Sequence, residues 1–384
     1  MLRISRALCD DNGSNAEFRL GSQQNCFRAC APDCLLASPG SLDYSLASEA
    51  LSAGSIQVPS SSASGRTPKL VLAVVLLTQL GFAAAQIVSM ALSRHLWLAD
   101  LANFIRPHLL LTGVALFVVG LALPRRSTRI GGVIALLAAA FPYFFLAPPA
   151  PAMEGTRFTV VSANVLVDNL DPRPFLEIPE VAGADILVLQ EVRPLWQHAL
   201  IASGRWPFES SRDLAANTDM KLLSRFPVLD ARTVAPESAD TGGRFAVRFE
   251  LSIDGRVVVL YAVHPQTPRG PRAWRERAAY LRDLEAAVRS EPADAPVVVA
   301  GDWNTPPWSP FFRDFLSSTG YRTTESRWWP LPTRFSIRLW SLTWIGTPID
   351  RVVLSPALGL EELAMGPKFG SNHLPVVVSV VIPD

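Results

Sequence analysis

The chain has 384 residues and a net charge of +1, and its length suffices for one large domain plus accessory segments. Only 18% of the residues are charged and the mean hydropathy is +0.23, values that are low and high respectively for a soluble enzyme. From residue 155 onward there are 24 Lys plus Arg and 26 Asp plus Glu. That part of the chain therefore lacks the basic excess expected of a tight nucleic-acid binder.

Residues 1–65 are rich in Ser, Ala and Gly and show no sustained periodicity, which predicts a disordered segment. All the cysteines lie here, at Cys9, Cys26, Cys30 and Cys34. Their spacing lacks partner histidines, so no metal site is predicted. An alternative is that translation starts further along and that this segment is not native. The first apolar run comes too late for a cleavable signal peptide, so export would depend on that run as an uncleaved anchor.

Residues 66–147 hold three apolar runs, at 70–92, 109–123 and 130–147. The first is long enough to cross a bilayer at about 1.5 Å per residue, and the other two become long enough when flanking residues are included. We therefore predict a membrane region with about three helices and a multi-pass membrane protein, with the bilayer as a partner. The alternative is a buried helical hairpin in a soluble protein.

Basic residues beside the apolar runs predict the orientation in the membrane. They precede the first run and fill the second connection: Arg66, Lys69, Arg125, Arg126 and Arg129. These positions favour the inner face, and three crossings then place the C-terminal domain on the extracytoplasmic side. Arg94 and Arg106 in the first connection favour the opposite orientation, and Asp100 offsets one of them.

The Pro-rich stretch 148–156 predicts a stiff spacer that lifts a folded domain, 157–384, off the membrane. In that domain, strand-like runs alternate with helical stretches at 271–289 and 309–319. The runs are 157–163, 185–190, 244–252, 256–263, 296–300, 350–354 and 375–382. Asp254-Gly255 between two of them predicts a hairpin turn. Hairpins mixed with crossover helices indicate an α/β fold with mixed sheets.

Short polar motifs stand where the apolar runs end or begin, which is where a sheet scaffold presents catalytic groups. The candidate catalytic and metal-binding residues in these motifs are Asn164, Glu191, His264, Asp302, Asn304, Asp350, Asn372 and His373. Each alone has an ordinary explanation: a turn former, a charge at a helix N-terminus, or a surface ion pair. Together, in this order, they indicate one active site.

This set of motifs resembles the endonuclease/exonuclease/phosphatase superfamily (deoxyribonuclease-I-like fold), and the resemblance covers 157–384. It implies a four-layer α/β sandwich with two packed mixed β-sheets, preceded here by N-terminal transmembrane helices, and cleavage of phosphoester bonds with a divalent metal. The implied roles follow the motif order. Asn164 and Glu191 lie at the metal, His264 contacts the scissile phosphate, Asp302 and Asn304 position the attacking water and a phosphate oxygen, and Asp350 orients His373. Asn372 stands where the family usually has Asp, in a position that would adjoin the metal.

The chemistry supports the same assignment. Hydrolysis of a phosphodiester anion needs positive charge on its oxygens and a base for the attacking water. Glu191 with Asp302 offers the hard oxygen ligands of Mg²⁺ (or Mn²⁺), and no Cys lies in this region to favour zinc. A histidine held by a carboxylate has a fixed tautomer, so His373 with Asp350 is the predicted base-side pair.

Three functions remain open from the sequence. The first is a metal-dependent phosphodiesterase or nuclease tethered to a membrane, and the second is the same chemistry on a phospholipid or phosphoinositol-like head group. The third is an inactive phosphate-binding scaffold that lost metal affinity through Asn372. No protein partner is inferred.

Two further patterns bear on the substrate. A basic cluster, namely Arg269, Arg272, Arg275, Arg277 and Arg282, is either a solvated helix face or a phosphate-steering rim. Six tryptophans crowd the same half of the domain: Trp303, Trp308, Trp328, Trp329, Trp340 and Trp344. Where aromatic and basic residues alternate, over 326–345, the pattern is typical of an interfacial or base-stacking surface.

Overall fold

The structure, a computed structural model, describes residues 68–211, 218–235, 241–326, 330–335 and 342–384. The predictions for 1–65, including the four cysteines, and for Trp328, Trp329 and Trp340 lie outside the described residues. Residues Gly65–Asp384 form one compact unit.

The N-terminal part of this unit consists of apolar helices. They are α1 (Lys69–Leu92), α2 (Trp97–Leu101), α3 (Arg106–Ala122) and α4 (Arg126–Ala140), with 3-10 turns at Ala102–Ile105 and Phe141–Phe145. Three continuous helical stretches, Lys69–Leu92, Trp97–Ala122 and Arg126–Phe145, are long and apolar enough to cross a membrane. The prediction of three apolar helices is confirmed, and the flanking residues do lengthen the second and third.

The helices of the bundle approach each other closely, and large apolar side chains lie on its outer surface. Helices α3 and α4 touch through small residues: a Cβ added at Gly120 would lie 2.5 Å from the Thr128 carbonyl oxygen. Small residues of this kind let membrane helices approach closely. Large apolar side chains such as Leu70 and Leu77 stay about 70% exposed (74% and 69%). Exposed apolar side chains of this size, on helices long enough to cross a membrane, support membrane association of the bundle.

The C-terminal part is a sandwich of two six-stranded sheets, as predicted. The first has the order β11-β12-β1-β2-β4-β3 and the second β5-β6-β7-β8-β10-β9. The strands are β1 (Gly155–Asn164), β2 (Ile186–Gln190), β3 (Phe208–Glu209), β4 (Met220–Ser224), β5 (Val228–Thr233), β6 (Val247–Ile253), β7 (Arg256–Val263), β8 (Val297–Asp302), β9 (Arg322–Thr323), β10 (Asp350–Leu354), β11 (Gly359–Met365) and β12 (Val376–Pro383). Both sheets are mixed, because β1 and β2 are parallel, as are β7 and β8, whereas the other pairs are antiparallel. The β6–β7 hairpin turns at Asp254-Gly255, both with positive φ.

Helices cover the outer face of each sheet, which makes four layers. The core between the sheets is built from their inward side chains, for example Val160 and Val188 of the first and Leu260 and Val298 of the second. Helices α5 (Arg173–Leu176), α6 (Pro179–Gly183) and α7 (Pro194–Ala202) pack on the first sheet, and α8 (Pro271–Arg289) and α9 (Pro310–Thr319) on the second.

Two of the six tryptophans singled out in the sequence, Trp303 and Trp308, are buried and do not form a binding surface. Trp303 is fully buried in the core under α9, with ring centroids 5.2 Å from Phe312 and 5.1 Å from Phe315. Trp308 is 3% exposed and packs on Tyr143, at the end of the helix bundle. Core packing therefore explains these two residues.

The Pro-rich stretch before β1 is not a spacer. Ala150 N–H donates to the Thr323 carbonyl of β9 at 2.8 Å, and Leu360 N–H of β11 donates to the Pro151 carbonyl at 2.8 Å. Ala150 is buried in the sandwich core. The prediction of a stiff spacer is therefore wrong. The segment packs into the core and forms backbone hydrogen bonds with β9 and β11, and β1 begins at Gly155.

Candidate active site

The predicted site residues meet at one end of the sandwich because strand ends from both sheets converge there. Asn164 ends β1 beside Gln190, the last residue of β2, and Glu191 follows. Asp302 ends β8 and is the register partner of Asp350, the first residue of the antiparallel β10. Asn164 joins the two sheets, since its Nδ2 donates to Asp302 Oδ2 at 3.2 Å.

Glu191 is held as a carboxylate by donors on both of its oxygens. Asn164 Nδ2 donates to Oε1 at 2.9 Å, and Val167 N–H donates to Oε2 at 2.7 Å. Burial alone would raise the pKa of Glu191, but these hydrogen bonds outweigh it and lower the pKa below its usual value. Its backbone lies in the left-handed region, with φ 61°. A non-glycine residue in that region is typical of functional sites.

Asp302 is the central carboxylate of the site and is 1% exposed. Its Oδ1 accepts the Asn304 N–H at 2.8 Å. Burial, and after it the charge of Asp350, raises the pKa of Asp302. The strand reaches this position because Gly301 precedes it with φ 151°, and a Cβ there would lie 2.0 Å from the Val263 carbonyl oxygen.

His373 and Asp350 form the predicted pair. His373 Nδ1 lies 2.9 and 2.8 Å from the two Asp350 oxygens. Ser371 Oγ accepts the His373 N–H at 3.0 Å and donates to the Asn164 carbonyl at 2.7 Å, which ties this loop to β1. Burial alone would lower the pKa of His373, but the Asp350 charge and hydrogen bond raise it above its usual value. The imidazole is thus fixed in place by a buried anion.

His264 has an equivalent carboxylate partner that the sequence analysis missed. Its Nδ1 lies 2.9 Å from Asp219 Oδ1 and 2.8 Å from Arg244 Nη1, and Arg244 also pairs with Asp219 Oδ2 at 3.3 Å. Tyr280 Oη accepts the His264 N–H at 3.0 Å. Asp219 stands just before β4, which is antiparallel to β2, so its start lies at the edge where β2 ends. A search for polar residues at the starts of strands, as well as their ends, would have found it.

The two imidazoles face the same carboxylate. His264 Nε2 and His373 Nε2 each lie 3.9 Å from Asp302 Oδ2, and His264 Nε2 lies 4.0 Å from Glu191 Oε1. A histidine whose Nδ1 is held by a carboxylate presents Nε2 to the site. The arrangement can therefore hold an anionic group between two imidazoles, beside two carboxylates.

The donor set fits a hard divalent cation. Potential ligand atoms of Asp302, Asp350 and His373 lie within 4.8 Å of one another. Asn164 Nδ2 donates hydrogen bonds to Asp302 and to Glu191, which places Glu191 beside this group. Buried carboxylates this close repel each other, and a cation would relieve the repulsion that raises the pKa of Asp302. Glu191 and Asp302 supply the carboxylate oxygens that such a cation prefers, whereas Asn164 directs Nδ2 at both carboxylates and its Oδ1 accepts the Leu166 N–H at 3.0 Å.

Two predicted residues have additional or different contacts. Asn304 is 2% exposed, its backbone φ is 43°, and its Nδ2 donates to the Pro265 carbonyl at 3.0 Å. Asn372 Oδ1 is buried without a hydrogen-bond partner, and its carbonyl accepts the Phe335 N–H at 2.9 Å. Among the described residues no contact joins the Asn372 side chain to Asp302 or Glu191, so its predicted place at the metal stays a prediction.

The family model described as the Endonuclease/Exonuclease/phosphatase family matches residues 161–373, and the chain belongs to that family. Solved structures with similar folds include an endonuclease/exonuclease/phosphatase from Beutenbergia cavernae DSM 12333, with 19% identity over 59% of this chain and 72% of that one (TM-score 0.47). Sphingomyelinase C from Streptomyces griseocarneus shows 18% identity over 58% and 99% (TM-score 0.43). The human Nocturnin catalytic domain, with bound sulfate, shows 20% identity over 58% and 93% (TM-score 0.43). No curated protein matches the chain.

Proposed function

We propose that this protein is a metal-dependent phosphoester hydrolase of the phosphodiesterase or nuclease type, anchored in a membrane with its catalytic domain on the extracytoplasmic side. One observation carries the proposal. Two imidazoles, each held at Nδ1 by a carboxylate, face the buried Asp302 at equal distances of 3.9 Å. This arrangement provides cation ligands, an anion-binding imidazole and a proton acceptor within one site.

Each residue has a role that its contacts support. Glu191 and Asp302 would hold the cation, which supplies positive charge to the phosphoryl oxygens when bound, and Asn164 positions both carboxylates through Nδ2. His264 donates from Nε2 to a phosphate oxygen, either with Nδ1 accepting from Arg244 Nη1 or with both ring nitrogens protonated and Nδ1 donating to Asp219. Asp302 orients the attacking water. His373, fixed by Asp350, accepts a proton at Nε2 in its neutral form, and that form becomes more populated as the charge of Asp302 is neutralised.

A lipid head group is a second candidate substrate, and one observation favours it. Four arginines line a cavity of about 500 Å³ together with Trp274 and Phe311; they are Arg94, Arg272, Arg275 and Arg282. Arg94 lies two residues beyond the end of α1, so the cavity opens where a membrane would present phosphates. Gly242 also lines the cavity, and Arg244, two residues further along, contacts His264. A short stretch of chain, 242–244, therefore joins the wall of the cavity to a residue that contacts His264.

The test is hydrolysis by the full-length protein in lipid nanodiscs with Mg²⁺ or Mn²⁺. The substrates are DNA, RNA, phospholipids including phosphoinositides, and a chromogenic diester. We expect turnover that a chelator abolishes and that added cation restores. Turnover of phospholipid alone, lost in Arg275→Gln/Arg282→Gln, would select the lipid candidate. No turnover of any substrate with the protein folded would contradict the hydrolase and favour the phosphate-binding scaffold.

A further inference from the structure

A chain of buried polar side chains runs from the helix bundle into the candidate active site. Its members come from α1, the connection between α1 and α3, the start of α3, α8, the end of β8 and the loop after it. In the order of their contacts they are Gln86, Arg106, Asn103, Asp100, Arg277, Asn304 and Asp302, and each is 4% exposed or less. Polar groups so thoroughly buried need partners, and here each one's partner is the next member of the chain.

Asp100 is the junction between the two parts of the molecule and is fully buried. Its Oδ1 accepts hydrogen bonds from Asn103 Nδ2 at 3.0 Å and from Ser309 Oγ at 2.9 Å. Its Oδ2 forms an ion pair with Arg277 Nη2. Asp100 and Arg277 are 177 residues apart, so this pair exists only when the bundle and the sandwich are together.

Arg277 carries the contact onward to a predicted catalytic residue. Its Nη1 donates to the Asn304 carbonyl at 2.8 Å, while the Asn304 N–H donates to Asp302 Oδ1 at 2.8 Å. Asn304 therefore has one backbone group fixed by Asp302 and the other by Arg277, in a left-handed conformation with φ 43°. Such a conformation persists only where surrounding contacts impose it.

On the other side, Asp100 is fixed to α1. Asn103 Oδ1 accepts a hydrogen bond from Arg106 Nε at 3.1 Å, and Arg106 Nη1 donates to Gln86 Oε1 at 2.7 Å. Arg106 Nη2 also donates to Ser89 Oγ at 3.1 Å. The Asp100 carboxylate is consequently held by a helix of the bundle, not by a loop alone.

Simple adhesion between bundle and sandwich does not explain this arrangement. A buried ion pair contributes little net stability, since both charges lose their hydration, and apolar contacts would join the surfaces as well. Burial lowers the pKa of Arg277, against the Asp100 charge, and Arg277 Nε has no hydrogen-bond partner within the described part of the chain. What apolar contacts could not supply is a directed donor to the Asn304 carbonyl.

We propose that Asp100, in the predicted membrane region, is a positioning residue of the active site that acts through Arg277 on the backbone of Asn304. The proposal rests on the hydrolase function proposed above. The helix bundle is then a part of the catalytic unit, in addition to being an anchor.

The test uses the full-length protein in nanodiscs and compares Asp100→Asn with Asp314→Asn. Asp314 pairs with Arg94 in an exposed contact between the same two parts, and Asp314 itself lines neither the site nor the arginine cavity, so Asp314→Asn leaves the charge of Arg94 in place. We expect Asp100→Asn to lower kcat about 10- to 100-fold, the range for loss of a supporting partner, with KM and Mn²⁺ affinity changed less than about twofold. Asp314→Asn should keep wild-type kcat. Asp100→Glu, which retains the charge, should recover most of the lost rate.

A second measurement does not depend on activity. Hydrogen exchange of the peptide over 301–306 should accelerate at least about tenfold in Asp100→Asn and stay unchanged in Asp314→Asn, because the Asn304 N–H is held only in the imposed conformation. Arg277→Lys is the second variant: it keeps a charge, but one ammonium cannot copy the planar fork that bonds Asp100 and the Asn304 carbonyl together.

The outcomes separate the two proposals. If wild type has no turnover, the hydrolase proposal fails, and hydrogen exchange alone decides the role of Asp100. Wild-type kcat and wild-type exchange in a folded Asp100→Asn would overturn the positioning role. So would a loss of kcat that matches the loss of folded protein in both Asp100→Asn and Arg277→Lys, since that result means structural support only.

Discussion

Asp302 and Asp350 are directly opposed on the neighbouring antiparallel strands β8 and β10. Residues so opposed project their side chains to the same face of a sheet, which brings two buried carboxylates together. Burial raises the pKa of Asp302, and the negative charge of Asp350 raises it further. Both oxygens of Asp350 lie within hydrogen-bond distance of His373 Nδ1. The site therefore carries an excess of buried negative charge that a cation would neutralise.

Replacement of either cation ligand should remove activity. Loss of a residue that only hydrogen-bonds a metal ligand lowers activity by up to about 100-fold. Glu191→Ala and Asp302→Ala remove ligands themselves, so each should lower metal-dependent turnover by more than that. The domain should stay folded, as judged by circular dichroism. Glu361→Ala, which breaks an exposed pair with Arg157, is the control and should keep wild-type activity. Normal turnover of either ligand variant at saturating metal would remove that residue from the site.

Asp350→Asn tests the orientation of His373. The amide can offer a donor to Nδ1 where the carboxylate accepted, so the imidazole can adopt the wrong tautomer. The same change in a hydrolase triad lowers kcat about 10⁴-fold, and we expect a loss of about 10²- to 10⁴-fold here. Asp171→Asn, at an exposed pair with Arg173, should leave kcat unchanged. A rise in KM alone, with kcat unchanged, would contradict an orienting role.

Asn372→Asp tests the position where the family usually has a carboxylate. An added anion near the site should tighten binding of Mn²⁺, by about tenfold for each 1.4 kcal/mol gained. Isothermal titration calorimetry of the wild type, Asn372→Asp and Asn372→Ala measures this effect. Unchanged affinity in Asn372→Asp would place the side chain outside the metal's reach. Activity that appears only in Asn372→Asp would mean that the natural protein is the phosphate-binding scaffold.

Glu291→Gln tests a buried network remote from the site. Arg248 donates to both Glu291 oxygens at 2.6 and 3.1 Å, and Tyr261 Oη donates at 2.6 Å. Burial alone would raise the pKa of Glu291, but these bonds lower it. Glu291→Gln should therefore destabilise the folded state by about 1 to 2 kcal/mol at neutral pH.

The pH dependence of that loss has a definite sign. Because the folded-state pKa of Glu291 is depressed, its contribution is complete above the ordinary Glu pKa of about 4.3 and disappears as pH falls through the folded value. Thermal melts of wild type and Glu291→Gln should converge in acid. Glu285→Gln, whose partner Arg289 is 4.0 Å away, should show little difference at any pH. A gap that persists in acid would mean that packing, not charge, stabilises this network.

Membrane topology is tested by reporters at two points of the chain. Alkaline phosphatase fused after Asp384 should be active and a fluorescent protein there dark, because basic residues keep the second connection inside. Fusions after Arg129 should give the reverse pattern. Fluorescence at the C-terminus without phosphatase activity would place the catalytic domain in the cytoplasm.

The sequence pattern predicts most of the residues that the fold brings together at the candidate site, because strand ends are local features. Asn164 and Glu191 follow the parallel strands β1 and β2 of one sheet, and Asp302 ends β8 of the other sheet. Asp219 escaped detection because it precedes its strand, and the direction of β4 is decided by pairing with β2, 30 residues away in sequence. Local pattern carries no information on that direction.

The junction between bundle and sandwich could not be predicted for a similar reason. In the sequence, Asp100 is only a charge that bears on membrane orientation, and Arg277 is only one member of a basic cluster. Their pairing depends on how two separately recognisable parts dock, which composition and periodicity do not determine. The sequence does not distinguish a spacer from a paired segment at 148–156, because a Pro-rich composition suits an extended linker and an extended, hydrogen-bonded segment equally.

The pairing of Ala150 and Pro151 also affects how the domain behaves in isolation. Strands β9 and β11 are the last strands of their sheets, and the segment before β1 occupies hydrogen-bonding groups on both. Unpaired strand edges are templates for association with another chain. A fragment cut at residue 155 would free these groups on both edge strands at once, so we expect it to self-associate more readily than the full chain.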